Sequence, residues 1–278
     1  MKTIYYYQTP SSLDTIIEYS QDVDVIIVSS IHFGEFKNEP YIHLNDNFPT
    51  SPLFDKVWED LQKLYYNGVT IMCMVGGAGG AYQKLFSDFE TYYPLLRDFL
   101  KSKNLITGID LDIEENVYLK DVIKLINCLV KDLGEDFTIT MAPVAEALLN
   151  DSPSGFSSIN YKDLFDSELG EHISWFNVQA YGCFNFDTYD KIIKNGFPPE
   201  KIVFGMIAGD FLNDNFHVAL DVIKNIVDKY PTMSGCDVWE LCNSPPNVND
   251  PGQWAKLIKN IKYHNNYHNR PFLGIWSP

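Results

Sequence analysis

No stretch of the 278-residue sequence approaches the ~20 unbroken apolar residues of a membrane-spanning helix, so no membrane partner is expected. Basic residues are scarce: 21 Lys and Arg stand against 37 Asp and Glu, and the net charge of −16 is spread without any long acidic block. Phosphate binding needs clustered Lys and Arg, which excludes nucleic acid as a partner class. The opening MKTIYYYQTPSS lacks the apolar run and small-residue cleavage site of a secretory signal. Localisation therefore stays open between an intracellular chain and one whose leader has been removed. The five cysteines form no CxxC pair and lie mostly in apolar runs, which reads as buried free thiols rather than a disulfide framework. Six histidines are present, none in a HxH or HExxH pattern, so no metal site is expected. Internal repeats and low-complexity linkers are absent too, and the expectation is a single domain over residues 1–278.

What is abundant is apolar and aromatic matter, 45% and 14% of the residues, enough to fill a large core. Short β-branched and aromatic runs mark strands near Thr3–Tyr7, Val23–Ser30, Thr70–Val75, Ile106–Glu114, Phe137–Ala142, Trp175–Tyr181, Lys201–Ala208 and Gly235–Trp239. Helical patterns stand between them. Ser51-Pro52 opens PLFDKVWEDLQKLYYNG, and Gly68 closes it. ENVYLKDVIKLINCLVKDLG, DNFHVALDVIKNIVDKYP and DPGQWAKLIKNIKYH repeat the 3.6-residue period. Strands alternating with helices pair in parallel through right-handed crossovers, and eight such units close a (β/α)8 TIM barrel, a fold of roughly 250 residues. An open doubly wound sheet would place a glycine turn after its first strand, where YYYQTPSS offers none. GGAGGAY (76–82) follows the third strand without a P-loop lysine and reads as a tight turn at the barrel rim.

The segment TGIDLDIEEN (107–116) alternates Asp110, Asp112 and Glu114 with Ile109, Leu111 and Ile113. A period of two puts the acids on one strand face and the aliphatics on the other. In a barrel the aliphatics pack on the helices, so the acids point inward at the C-terminal end of the fourth strand, where this fold keeps its active sites. Side chains two apart stand roughly 6.6 Å from one another along a strand. Three carboxyls so placed share protons rather than ionise freely. Glu114, the outermost, is the natural proton donor, Asp112 its modulator and Asp110 a buried anchor. Taken without its context, the same pattern also fits a solvated sheet edge or a three-carboxylate metal site.

GIDLDIE resembles the DxxDxDxE signature of the family-18 glycoside hydrolases, the chitinase family. The resemblance covers essentially the whole chain: MCMVGGAGGAY is similar to the family's SxGG segment, FNVQAYG to its sixth strand and SGCDVWE to its eighth. The short interval between the seventh and eighth strands resembles the compact, class III-like form without an α+β insertion. The resemblance implies a retaining endo-glycosidase acting on N-acetylglucosamine-containing carbohydrate, with no cofactor because the substrate supplies the nucleophile; a monomer is expected. It implies Glu114 as acid/base, Asp112 as the residue that holds the substrate's acetamido N–H, Asp110 as its buried partner and Tyr181 as donor to the acetamido carbonyl. It further implies substrate contacts from Gln179, Trp239, Met141 and Phe33, with Gly76 and Gly77 in the rim turn. Two positions depart from the pattern: Thr107 replaces the motif's first aspartate and Met74 the serine of SxGG. Chitin, the chitobiose core of N-glycans, and sugar binding without turnover all remain open. His32 reads as structural, and Glu146 and Glu240 as solvated rim residues, rather than catalytic.

Overall fold

All eight expected strands are present in the computed structural model, which describes residues 1–212 and 215–268. The expected domain runs on to Pro278, and its residues 269–278 lie outside the described residues, as does Asp214 at the head of one expected helix. The strands are β1 (Lys2–Tyr7), β2 (Val25–Phe36), β3 (Glu39–Leu44), β4 (Thr70–Gly76), β5 (Ile106–Asp112), β6 (Thr138–Met141), β7 (Ile173–Gln179), β8 (Ile202–Ile207) and β9 (Gly235–Trp239). All but β3 run parallel in the order β1-β2-β4-β5-β6-β7-β8-β9. The pairing of β9 with β1, Asp237 opposite Ile4, closes the ring. This is a single (β/α)8 TIM barrel.

The helices are α1 (Asp14–Glu18), α2 (Asp55–Tyr66), α3 (Ala81–Ser87), α4 (Phe89–Ser102), α5 (Leu119–Leu133), α6 (Tyr161–Phe165), α7 (Phe186–Lys194), α8 (Phe216–Lys229) and α9 (Gly252–His268). In α5, Val122, Leu125, Ile126 and Leu129 recur at helical spacing and are all fully buried. Each such side chain stabilises the docked helix by about 1.5–3 kcal/mol. Between β8 and β9 the described residues hold only a short turn and α8, as the compact form requires.

Two cores result. Ile4, Tyr6, Val25, Ile27, Met72, Met74, Trp175 and Val203 fill the barrel, while Ile109, Leu111 and Ile113 join the shell between strands and helices. The alternation read in β5 therefore holds.

One strand was not expected. The second barrel strand runs on to Phe36 and turns into β3 through Lys37-Asn38, whose φ values of 52° and 65° fit a two-residue hairpin turn. Such turns usually announce themselves with Asn-Gly, and here no glycine does so. The thiols also differ in part from expectation: all five are free, but only Cys73 and Cys236 are fully buried.

Candidate active site at the C-terminal mouth of the barrel

Asp110 lies wholly inside the barrel and takes three hydrogen bonds. Tyr6 donates from β1 to Oδ2 (2.8 Å), while Thr140 from β6 (2.5 Å) and Asn177 from β7 (3.0 Å) both donate to Oδ1. Asn177 is itself oriented by Trp175, whose indole N–H donates to its Oδ1 at 2.8 Å. Burial raises the Asp110 pKa and the three donors pull it back, leaving it above the ordinary carboxylate range. Asp112, one pleat further out and 5% exposed, is pushed up much more strongly. Burial is again the largest cause, followed by the charges of Glu114 and Asp110, with a hydrogen bond from Gln179 opposing them.

The strand ends at Asp112 rather than at the expected Glu114, because its neighbour β4 ends in the same register with Gly76 opposite Asp112. Gly76 adopts φ +100°, and a Cβ there would stand 2.1 Å from the Asp112 carbonyl oxygen. Gly77 follows at φ +75° and donates its N–H to the same oxygen at 2.9 Å. The glycine turn thus rides directly over the carboxylate strand, which only residues without a Cβ permit.

Glu114 is half-buried beyond the strand end. The Gln179 amide reaches both acids, donating to Asp112 Oδ1 at 2.9 Å and Glu114 Oε1 at 3.3 Å, and also to the Ala142 carbonyl at 2.8 Å. All three side chains open into one cavity of about 540 Å³, lined also by Tyr181, Trp239, Met74, Gly76 and Gly77. The phenol of Tyr181 is held neutral well past its usual range, by burial first and then by the charges of Asp237, Asp112, Glu114 and Asp110. Trp239 leans on Tyr6 with ring centroids 5.4 Å apart. The arrangement brings a half-exposed carboxyl, a buried carboxyl, an amide, a phenol and a flat indole to one sugar-sized space.

Two expected contact residues are not on this cleft. Phe33 is buried away from it against Tyr92, ring centroids 5.7 Å apart. The cause is an irregularity in β2: Val25 and Ile27 point into the barrel, the register shifts between Val28 and Ile31, and Ile31 and Phe33 then point outward. Met141 is fully buried in the outer shell, because its neighbour Thr140 takes the inward position at Asp110.

Residues outside the expected set also line the cavity, and His32, expected to be structural, joins them. The unexpected hairpin lines one side of the cavity with His32, His43, Asn45 and Asp46, and Gln8 joins them from the end of β1. Tyr6, Thr140 and Asn177 carried a signal in their period-two placement on predicted strands, but their convergence on Asp110 depends on register across the barrel. Glu240, expected to be solvated, is instead buried and structural: its carboxylate accepts the Gln8 N–H (3.1 Å), the Thr9 N–H (2.9 Å) and the Thr9 hydroxyl (2.8 Å). Glu146 is exposed. Met74 fills the barrel interior opposite Asp110, and Asp110 finds its donors elsewhere.

Among solved structures, this chain is similar to a fungal endo-β-N-acetylglucosaminidase from glycosyl hydrolase family 18. The two share 31% identity with a TM-score of 0.83, covering 94% of this chain and 98% of that one. The chain belongs to glycoside hydrolase family 18. It is likewise similar to the chitinase ChiC from Aspergillus fumigatus, at 31% identity and a TM-score of 0.79 over 93% of this chain and 98% of that one. A family-18 chitinase from Pseudoalteromonas aurantia, 19% identical with a TM-score of 0.66 over 94% and 100% of the two chains, shares the fold. No family model and no curated protein sequence matches this family-18 glycosidase.

Proposed function

We propose that this glycosidase cleaves β-1,4 links between N-acetylglucosamine units with retention of configuration, using the substrate's own acetamido group as nucleophile. Glu114 protonates the departing glycosidic oxygen. The N-acetyl carbonyl oxygen attacks the anomeric carbon as that bond breaks, giving a cyclic oxazolinium ion. Asp112 accepts the acetamido N–H and balances the positive charge, Tyr181 donates to the acetamido oxygen, and Trp239 floors the sugar ring. Water, deprotonated by Glu114, then opens the oxazolinium from the face that the leaving group vacated. This substrate-assisted route departs from the usual pair of enzyme carboxylates. The observation that carries the reading is Gln179, whose amide contacts Asp112 and Glu114 together inside the cavity that also holds Tyr181 and Trp239.

A second reading uses the same machinery on the chitobiose core of N-glycans. It is favoured by the similarity to the fungal endo-β-N-acetylglucosaminidase, whose TM-score exceeds that of the Aspergillus chitinase. The test is hydrolysis of a chitin oligosaccharide and of an N-glycoprotein by the unmodified protein and by Glu114→Gln. Loss of a general acid lowers the rate by about 10²–10⁴-fold. Chitin-oligosaccharide cleavage that disappears in the variant supports the first reading, and glycan release alone moves the assignment to the second. Sugar binding without turnover by the unmodified protein refutes both.

A further inference from the structure

Asp237 has no part in the mechanism above, yet it is buried inside the same barrel, 2% exposed, one pleat below Trp239 on β9. Its place is prepared by its neighbour on β8. Gly205 stands opposite it in register, and a Cβ at 205 would lie 2.5 Å from Oδ1 and 2.7 Å from Oδ2. The absent side chain on one strand is thus the space that the carboxyl on the next occupies. Oδ2 is fully enclosed and has no hydrogen-bond partner among the described residues.

The titratable groups that interact with it electrostatically inside the barrel are Tyr6 from β1, Asp110 and Asp112 from β5, and Tyr181 beyond the end of β7. The Cys236 thiol on its own strand also feels its charge. None of these is a cation. A buried carboxylate without a cation or a full set of donors is strongly disfavoured, and the group keeps a proton instead. Burial, then the charge of Asp110, accordingly lifts Asp237 well above the usual carboxylate range.

We propose that Asp237 is a positioning residue for the reaction, a fourth carboxyl group beside Tyr6 and Asp110 whose charge state sets the upper pH limit of activity. It acts by competition for protons. When interacting carboxyls share a small dry space, each proton lost makes the next harder to remove. With Asp237 in place, the Asp110–Asp112 pair holds its shared proton further into the alkaline range. Without it the pair ionises earlier. The inference rests on the catalytic reading of Asp112 and Glu114.

The test is the pH–rate profile of Asp237→Asn on whichever of the two substrates the unmodified protein cleaves, with melting temperature recorded alongside. The alkaline limb is expected to move to lower pH by about half a unit or more. Gly205→Ala, whose new methyl must displace the carboxyl, is expected to disturb the same limb. The double variant should add no further shift to that of Asp237→Asn. A readout that needs no turnover is the infrared band of protonated carboxyls at neutral pH, which should lose one group in Asp237→Asn. A lower melting temperature with an unchanged profile and an unchanged infrared band would make Asp237 a packing residue and overturn the proposal. Should Asp237→Asn not fold, an unshifted profile in Gly205→Ala overturns it equally. Turnover by Glu114→Gln would sink the catalytic reading instead, and the infrared result would still decide whether Asp237 carries a proton.

Discussion

Replacing Tyr6 by Phe removes one oxygen from the barrel and leaves its packing in place. The ring keeps its position against Trp239, at 5.4 Å between centroids. What is lost is the 2.8 Å donation to Asp110 Oδ2. Because Thr140 and Asn177 both serve Oδ1, the change leaves Oδ2 without a donor in a fully buried site. A hydrogen bond to a charged group contributes about 1.5–3 kcal/mol, and a chain of this size loses about 2–4 °C of melting temperature per kcal/mol. A drop of several degrees at neutral pH is expected. The sign of its pH dependence follows from the direction in which Tyr6 acts. Its hydrogen bond lowers the Asp110 pKa, so the variant holds Asp110 protonated to higher pH. The Tyr6 contribution is present where folded Asp110 is ionised, above its raised pKa, and fades as pH falls through that raised value towards the ordinary carboxylate range, where both proteins hold Asp110 protonated. Thermal unfolding of wild type and Tyr6→Phe from pH 4 to 8 measures the difference directly. A melting difference that is absent at neutral pH, or that does not shrink towards pH 4, would refute the assignment of Tyr6 as the donor that favours ionised Asp110.

Asp112→Asn should abolish turnover yet raise the melting temperature at neutral pH. The folded Asp112 pKa is raised by burial and by Glu114 and Asp110, so wild type loses stability as pH rises above 3.8, where the unfolded chain releases the proton and the folded one cannot. The gain should vanish near pH 4, and a variant less stable than wild type at pH 7 would contradict it. Gly76→Ala should cost more than about 2 kcal/mol and most of kcat. The added Cβ meets the Asp112 carbonyl at 2.1 Å and the Tyr82 ring at 2.5 Å in a φ of +100°. Unfolding in urea and a rate assay check this, and wild-type values in both would show that the rim turn does not hold the carboxylate strand.

The eight barrel strands and the direction of their side chains were legible because strand periodicity is local. Asp110, Asp112 and Glu114 alternate with three aliphatics within six residues, and burial of those aliphatics turns the acids inward. The hairpin that supplies His32, His43 and Asn45 was not legible, since Lys37-Asn38 carries no glycine to mark its turn. Phe33 was misplaced for a related reason: one irregularity in β2 reverses which alternate residues face the barrel, and alternation within the strand does not reveal it. Met141 failed by a single position beside Thr140.

By itself the sequence determined the order of the eight barrel strands, the inward row of acids and the glycine turn above them, all of which depend on neighbours a few residues away. Only the closed barrel decided which strands' side chains meet. Tyr6, Thr140 and Asn177 converge on Asp110 across up to 104 positions of chain, and Gly205 makes room for Asp237. Such partnerships arise from register between strands far apart in sequence, and the proton balance of the site follows from the burial that closure imposes.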